Sequence, residues 1–392
     1  MIEKTEDTQA QQKNKGLAAE FMAATSEKDT IMSTLQLLEA QEQRLLLYRG
    51  KEFIGLPQKM LPTLDDLLLG LRKFIVLAAA PNVGKTALTI QLGLDVIKNN
   101  LNACLIYISL EMSREDVIDR MRCHLTPITY KKLYFGSTRD DDSGWYSTSE
   151  MENLVNSKEM LAELAPRILI LSEDSSPQLT ADKIIQHVNE LKKSTGCSKT
   201  IVIIDYLQVF PVADTEFKKI FSENDMDRYR ISQIKILRAK LRNDPLIVIA
   251  EARKPSSNSS NWATSMADVL GSSRIAYACD AGILLNVISD EELKERTNNN
   301  AEGSVIRDNL SRSGFSILRL TVDKGRDGMR KGDILLKYHF LENRFKETSW
   351  DEVCKDYGGP LGEYSNTAKR QELEKISNHK LSKYANKATG LK

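Results

Sequence analysis

Three short stretches of this chain carry residues whose types and spacing could handle a triphosphate. In the first, the apolar run FIVLAAA from Phe74 passes directly into PNVGKT. A turn of this composition wraps successive backbone N–H groups around phosphate oxygens. Gly84 permits the tight turn, Lys85 reaches the β- and γ-phosphates, and the Thr86 hydroxyl ligates Mg²⁺, with Pro81, Asn82, Val83 and Ala87 completing the cradle. The second stretch, TIVIIDYLQ at 200–208, sets Asp205 at the end of four consecutive apolar residues. Taken alone, such an Asp could cap a turn; following a phosphate-binding loop, it is expected to hold Mg²⁺ directly or through water. In the third, ACLIYISLEM, Glu111 lies just beyond an apolar run. It would orient or deprotonate an attacking water, or else sit in the first turn of the helix EDVIDRM, favoured by the helix dipole. Spacing alone does not choose between these.

These residues need a scaffold that gathers distant segments at one edge. Candidate strands run over 74–80, 103–109, 167–171, 200–205, 246–250, 281–287, 316–322 and 333–340, with helical patterns alternating among the earlier ones. That alternation predicts an α/β fold with a mostly parallel sheet and crossover helices, and the turn GRDGMRKGD predicts an antiparallel hairpin for the last two strands. Open parallel sheets bind ligands at the carboxyl ends of their strands, so Glu111 and the phosphate-binding turn should share one edge. The segment ALTIQLGLDVIK keeps apolar residues at helical spacing and puts the turn at a helix N-terminus, where anions bind.

Around this core, residues 1–27 are polar and read as disordered or frayed, and 28–53 as a linker-like segment with an amphipathic helix from Ile31 to about Tyr48. Gly55 to Lys73 is a Pro/Gly-punctuated approach to an ATPase domain spanning 54–349. Polar stretches at Gly136–Ser149, Ser256–Ser265 and Ser289–Gly314 read as long loops, and 350–392 as a polar basic tail. Tyr364–Lys392 holds seven Lys/Arg against two Glu, a composition that suits a solvated tail better than a nucleic-acid arm.

The 392 residues carry a net charge of +1, so no global basic field announces a nucleic-acid partner and any contact must be local. The five cysteines show no C-x-x-C pairing and read as free thiols in a reducing compartment. No segment approaches the roughly 18 uninterrupted apolar residues of a membrane helix. A cytoplasmic protein without membrane contact is expected.

The segments LPTLDDLLLGLRKFIVLAAAPNVGKTA, YISLEMSREDVIDRM and TIVIIDYLQVF together resemble the C-terminal ATPase domain of DnaB-family replicative helicases, a RecA-like fold, over roughly residues 54–346. The family commonly has alanine where other P-loops have their first glycine, which matches Ala79. The resemblance implies that Lys85 and Thr86 bind phosphate and Mg²⁺, that Glu111 is the catalytic base and that Asp205 is the Walker B acid. It also implies that Lys324 and Arg326, in DKGRDG, act across a subunit boundary. Its DNA-contacting loops correspond to PVADTEFKKIFSENDMDRYR and MADVLGSSRIAY, making Lys218, Lys219, Arg228, Arg230, Gly271, Ser272, Ser273 and Arg274 the candidate contacts to phosphates.

Two departures stand out. LIVIA is followed by Glu251 where the resemblance implies a glutamine sensing the γ-phosphate. A carboxylate there would be repelled by phosphate, so it should turn away, be bridged by a cation such as Arg253, or order Mg²⁺-bound water. The family's N-terminal collar is also not matched, since about fifty residues precede the core; docking of primase through a collar is not expected, while the helix over 30–48 could pack on a neighbouring subunit. The resulting expectation is a homo-oligomeric, hexameric ring that uses ATP and Mg²⁺ to move on single-stranded DNA in replication within a prokaryotic, phage or plasmid setting. A loader or primase partner stays open, and the alternative is a non-unwinding ATPase acting as loader, switch or regulatory assembly.

Overall fold

The computed structural model describes residues 33–135, 146–172, 179–211, 222–252, 265–269, 273–297 and 303–356. Contacts divide the chain into two units that meet in sequence at Lys51 and Glu52. The first contains α1 (Thr34–Leu46), capped by Ser33, whose hydroxyl accepts from the Gln36 N–H while the Gln36 side chain accepts from the Ser33 N–H. None of its residues is buried, and Leu35, Leu37, Leu38 and Leu45 are exposed. The helix is shorter than the periodicity suggests, giving way to a turn after Leu46.

The second unit is built on a nine-stranded sheet. Its elements are, in order, α2 (Pro62–Leu68), β1 (Phe74–Ala79), α3 (Lys85–Asn99), β2 (Ala103–Ser109), α4 (Arg114–Leu125), α5 (Tyr130–Phe135), α6 (Thr148–Leu164), β3 (Ile168–Ser172), α7 (Ala181–Thr195), β4 (Lys199–Asp205), α8 (Glu223–Leu241), β5 (Leu246–Glu251), α9 (Ser273–Ala278), β6 (Ala281–Val287), α10 (Asp290–Thr297), α11 (Gly303–Arg312), β7 (Phe315–Gly325), β8 (Gly332–His339), β9 (Arg344–Glu347) and α12 (Trp350–Asp356). The strands lie in the order β3-β2-β4-β5-β1-β6-β7-β8-β9; the first six run parallel and the last three antiparallel.

The parallel strands are near-continuous apolar runs because both faces of the sheet are covered. Along β1, Ile75, Leu77 and Ala79 enter one core and Phe74, Val76 and Ala78 the other. The first core takes in α2, α3 and α4; the second is closed by Ile184 and Val188 of α7 and by Ile231, Ile234 and Leu237 of α8. Helix α3 is buried from Ala87 through Ile97, as its nearly all-round apolar sequence requires. Its outer side is closed by β9: the buried Gln91 side chain donates to the Phe345 carbonyl at 2.9 Å and accepts from the Phe345 N–H at 2.7 Å.

The expected mostly parallel sheet and C-terminal hairpin are present; one expectation is corrected, and three other segments gain helices within or at an end of their expected bounds. Ser289–Gly314 is not a long loop: it holds α10 and α11, which anchor Leu293, Ile306 and Leu310 in a third apolar cluster. The approach over 55–73 contains α2, with Pro62 in its first turn and Leu64, Leu67 and Leu68 buried. The polar stretch that begins at Gly136 ends early, because Ser147 caps α6 in a capping box with Glu150. The tail expected from residue 350 opens with α12, whose Val353 is buried in the third cluster. The segments 1–27, 256–264 and 364–392 lie outside the described residues. No helix among the described residues is long and apolar enough to cross a membrane.

Candidate active site

The turn between β1 and α3 bends through two left-handed residues, Asn82 at φ 63° and Gly84 at φ 104°. Asn tolerates this region through its short polar side chain, and glycine does so at no steric cost. A second constraint also fixes Gly84. A Cβ there would meet Tyr338 at 3.0 Å and Phe345 at 3.1 Å, two rings stacked with centroids 4.1 Å apart. The turn thus rests on an aromatic floor from β8 and β9 while its backbone leads into the N-terminus of α3.

Lys85 and Thr86 open α3. The Lys85 ammonium donates to the Ala79 and Ala80 carbonyls, each at 3.0 Å. Burial pulls its pKa down, opposed by attraction to Glu251, Asp205 and Glu111 in that order. The Thr86 hydroxyl donates to Asp205 Oδ2 at 2.6 Å. Asp205 ends β4, is 2% exposed and also accepts from the Tyr107 hydroxyl at 3.1 Å. Burial pushes its carboxyl above the usual range; the hydrogen bonds from Thr86 and Tyr107 pull it back, Glu111 adds to the rise and Lys85 counters it. Tyr107, fully buried on β2, in turn shares a 3.2 Å hydrogen bond with the Thr89 hydroxyl. Within the chain's sequence Tyr107 reads only as an aromatic in an apolar strand, and no signal there marks its contact with Asp205.

Glu111 is exposed and precedes α4, which starts at Arg114 with Ser113 as its cap. It therefore lies outside the helix that offered the alternative role for it. Register fixes its neighbourhood: Ser109 pairs with Asp205, and the Leu110 N–H donates to the Asp205 carbonyl at 2.7 Å. Glu251 ends β5 in register with Ala79 and is partly buried. Burial raises the Tyr206 phenol pKa, and Glu111, Glu251 and Asp205 raise it further. The carboxyl-end edge thus brings together the phosphate-binding turn, Glu111, Asp205 and Glu251. The Thr86 hydroxyl and Asp205 carboxylate are hard oxygen donors that fit Mg²⁺, which takes one or two carboxylates and completes its shell with water and phosphate. Among the described residues no group of three or more His, Cys, Asp or Glu forms an all-protein metal cage.

Lys324 and Arg326 lie at the opposite edge. Gly325 pairs with Ala281 and Ala281 with Ile75, four residues before Ala79, so they are set back by about 13 Å of strand rise. Lys324 Nζ donates to the Ala276 and Tyr277 carbonyls at 2.6 and 3.1 Å, and the Arg326 guanidinium to the Tyr277 carbonyl at 3.0 Å. Both cations are held on the last carbonyls of α9.

The residues expected to meet DNA come from two separate stretches of the sequence. Lys218, Lys219, Gly271 and Ser272, like Arg253, lie outside the described residues. Ser273 and Arg274 begin α9. Arg228 is exposed on α8 and pairs with Asp225 at 3.4 Å. Arg230 is corrected as a free phosphate contact: only 17% of its side chain is exposed, its Nε donates to the Phe210 carbonyl at 3.1 Å and it pairs with Asp227 at 3.6 Å.

A parallel sheet with a phosphate-binding turn after its first strand and an acidic residue at the end of a nearby strand defines the P-loop nucleotide-binding class of α/β domains. Within that class, residues 55–347 match the family model described as DnaB-like helicase C terminal domain, and the chain belongs to this family. Relatives include the replicative DNA helicase DnaB of Geobacillus stearothermophilus, 29% identical over 185 residues, or 46% of this chain and 36% of that protein. A probable plasmid replicative DNA helicase of Chlamydia muridarum is 23% identical over 222 residues, or 56% of this chain and 44% of that protein. The chain thus spans less than half the length of these curated relatives. Among solved structures, one isolated ATPase domain aligns with a TM-score of 0.61 at 18% identity, covering 82% of this chain and 100% of that one. A DnaB-like replicative helicase, solved in a study of its interactions with primase, aligns with a TM-score of 0.60 at 19% identity, covering 85% and 71%. The fold is that of the RecA-like DnaB ATPase domain.

Proposed function

We propose that this chain is a Mg²⁺-dependent ATP hydrolase of the DnaB type, acting as a ring-forming motor on single-stranded DNA during replication in a prokaryotic host cytoplasm. The observation that carries the reading is the Thr86–Asp205 contact of 2.6 Å beside the Lys85 ammonium, within a chain of the DnaB-like family. In this reading the backbone of Pro81–Ala87 cradles the phosphates, Lys85 neutralises the β/γ end, and Thr86 and Asp205 hold Mg²⁺. Bound Mg²⁺ would neutralise charge on the phosphates. Glu111, exposed and next to Asp205, takes the proton of the attacking water. Lys324 and Arg326 are too far along the sheet to serve their own chain's turn and complete a neighbour's site, which makes a homo-oligomer, taken as a hexameric ring, part of the proposal. Arg228 and the segments around 218–219 and 271–274 meet DNA phosphates.

The test is ATP turnover with and without single-stranded DNA, together with strand displacement, for the chain as it stands and for Lys85→Ala. Stimulated turnover and unwinding that vanish in Lys85→Ala are expected. Turnover indifferent to DNA, with no displacement, would overturn the motor reading, and near-normal turnover in Lys85→Ala would remove the phosphate-binding assignment.

A further inference from the structure

Four charged groups follow the strand order β2, β4, β5, β1 along the carboxyl-end edge: Glu111, Asp205, Glu251 and Lys85. Three are carboxylates and one is a cation. Glu251 belongs to β5, the strand lying between the one that ends in Asp205 and the one that leads into the phosphate-binding turn. It pairs in register with Ala79, and the Ala79 carbonyl accepts both the Lys85 ammonium at 3.0 Å and the Ala252 N–H at 3.1 Å. The ammonium is therefore held at the carboxyl end of β1, next to the strand that ends in Glu251. Of the three carboxylates that draw on it, Glu251 draws most strongly.

We propose that the Glu251 carboxylate competes with a terminal phosphate for the Lys85 ammonium, so that the site discriminates against nucleoside triphosphates in favour of diphosphates. This rests on the nucleotide-binding reading above and adds its selectivity. A triphosphate brings one more phosphate, and its charge, into an edge already dominated by carboxylates. It must share Lys85, the cation among the described residues of this edge, with Glu251 and is repelled by Glu251 as well. A diphosphate still meets Lys85 through its β-phosphate but brings no γ-phosphate toward Glu251, so the repulsion it meets there is smaller. Glu251 acts here as a specificity-determining residue, and its effect is differential, which a merely structural role would not be.

The experiment is equilibrium titration of the full chain, with Mg²⁺, against a fluorescent ADP and a fluorescent non-hydrolysable ATP analogue. Glu251→Gln removes the charge at nearly constant shape, and Glu251→Ala removes it without supplying an amide. In both, the ratio of triphosphate Kd to diphosphate Kd should fall by about tenfold, the scale of one partly screened charge contact, while the diphosphate Kd stays within about threefold. Agreement between the two variants assigns the effect to lost charge. An unchanged ratio, an equal change for both nucleotides, or a shift in Glu251→Gln alone overturns the proposal while leaving nucleotide binding intact. Failure of the unsubstituted chain to bind either nucleotide overturns the nucleotide-binding reading and this inference with it.

Discussion

The two edges of the parallel sheet carry opposite chemistry. At the carboxyl ends of the strands, Glu111, Asp205 and Glu251 share an edge with Lys85, and burial pushes Asp205 up and Lys85 down, each toward its neutral form. At the amino ends, Lys324 and Arg326 rest on the final carbonyls of α9, and the buried Asp280 ties the edge together by accepting two hydrogen bonds from Arg238 and one from the Phe74 N–H. Among the described residues, Lys324 and Arg326 lie about four strand residues away from the acidic edge. In the proposed ring the acidic edge of one copy meets the cations of the next head to tail, a heterologous arrangement.

This contrast is most open to test at the cationic edge. In the proposed ring, Arg326→Ala should lower turnover by about 10³–10⁵, although the residue lies far from its own chain's phosphate-binding turn. Mixing it with Lys85→Ala subunits, which keep Arg326, should restore part of the activity; free subunit exchange without recovery would mean that the two edges do not cooperate across chains. At the acidic edge, Glu111→Gln should lower turnover by about 10²–10⁴ and leave nucleotide affinity nearly intact, since it keeps the shape and removes the base. Equal loss of binding in a titration would assign Glu111 to architecture.

A smaller effect is expected at the floor of the turn. Gly84→Ala forces a Cβ against Tyr338 in a left-handed backbone and should cost about 1–3 kcal/mol in denaturant unfolding. The smallest expected change in stability is that of Asp205→Asn. The folded-state pKa of Asp205 is raised, so ionisation opposes folding: the penalty is absent at low pH, where both states are protonated, and is complete above the raised value. The substitution should therefore raise the thermal midpoint on the order of 2 °C at neutral pH, lose that advantage below about pH 4, and eliminate turnover. A midpoint that falls at neutral pH would show that the hydrogen bonds from Thr86 and Tyr107 outweigh the burial cost.

How much of this is legible in the sequence depends on burial. Strands such as β2 and β6 announce themselves because both sheet faces are covered and nearly every residue is apolar. The helices α10 and α11 read as loop because DEELKERT and GSVIRDNLSR each carry few apolar anchors among charged and polar residues. Strand β9 is four residues long and holds one large apolar side chain, Phe345, so no alternation could reveal it. In the site, Lys85, Thr86 and Asp205 follow from local pattern. Lys324 and Arg326 are legible only through family resemblance, because a basic hairpin tip otherwise reads as a solvated surface. Tyr107 is illegible for a different reason: its hydroxyl finds Asp205 across neighbouring strands, a relation that strand order creates and local sequence does not contain.

The aromatic floor beneath Gly84 also sets an order of events during synthesis. Gln91, on the helix that the turn opens, and Phe345, whose ring supports the turn, are 254 residues apart. A growing chain emits the phosphate-binding segment well before its support, so the turn cannot be buttressed until β8 and β9 have cleared the ribosome. Contacts of such sequence separation close slowly. A nascent chain halted before Arg344 should thus hold its first strands without a firm phosphate grip, and the capacity to bind nucleotide should appear only once β9 has emerged.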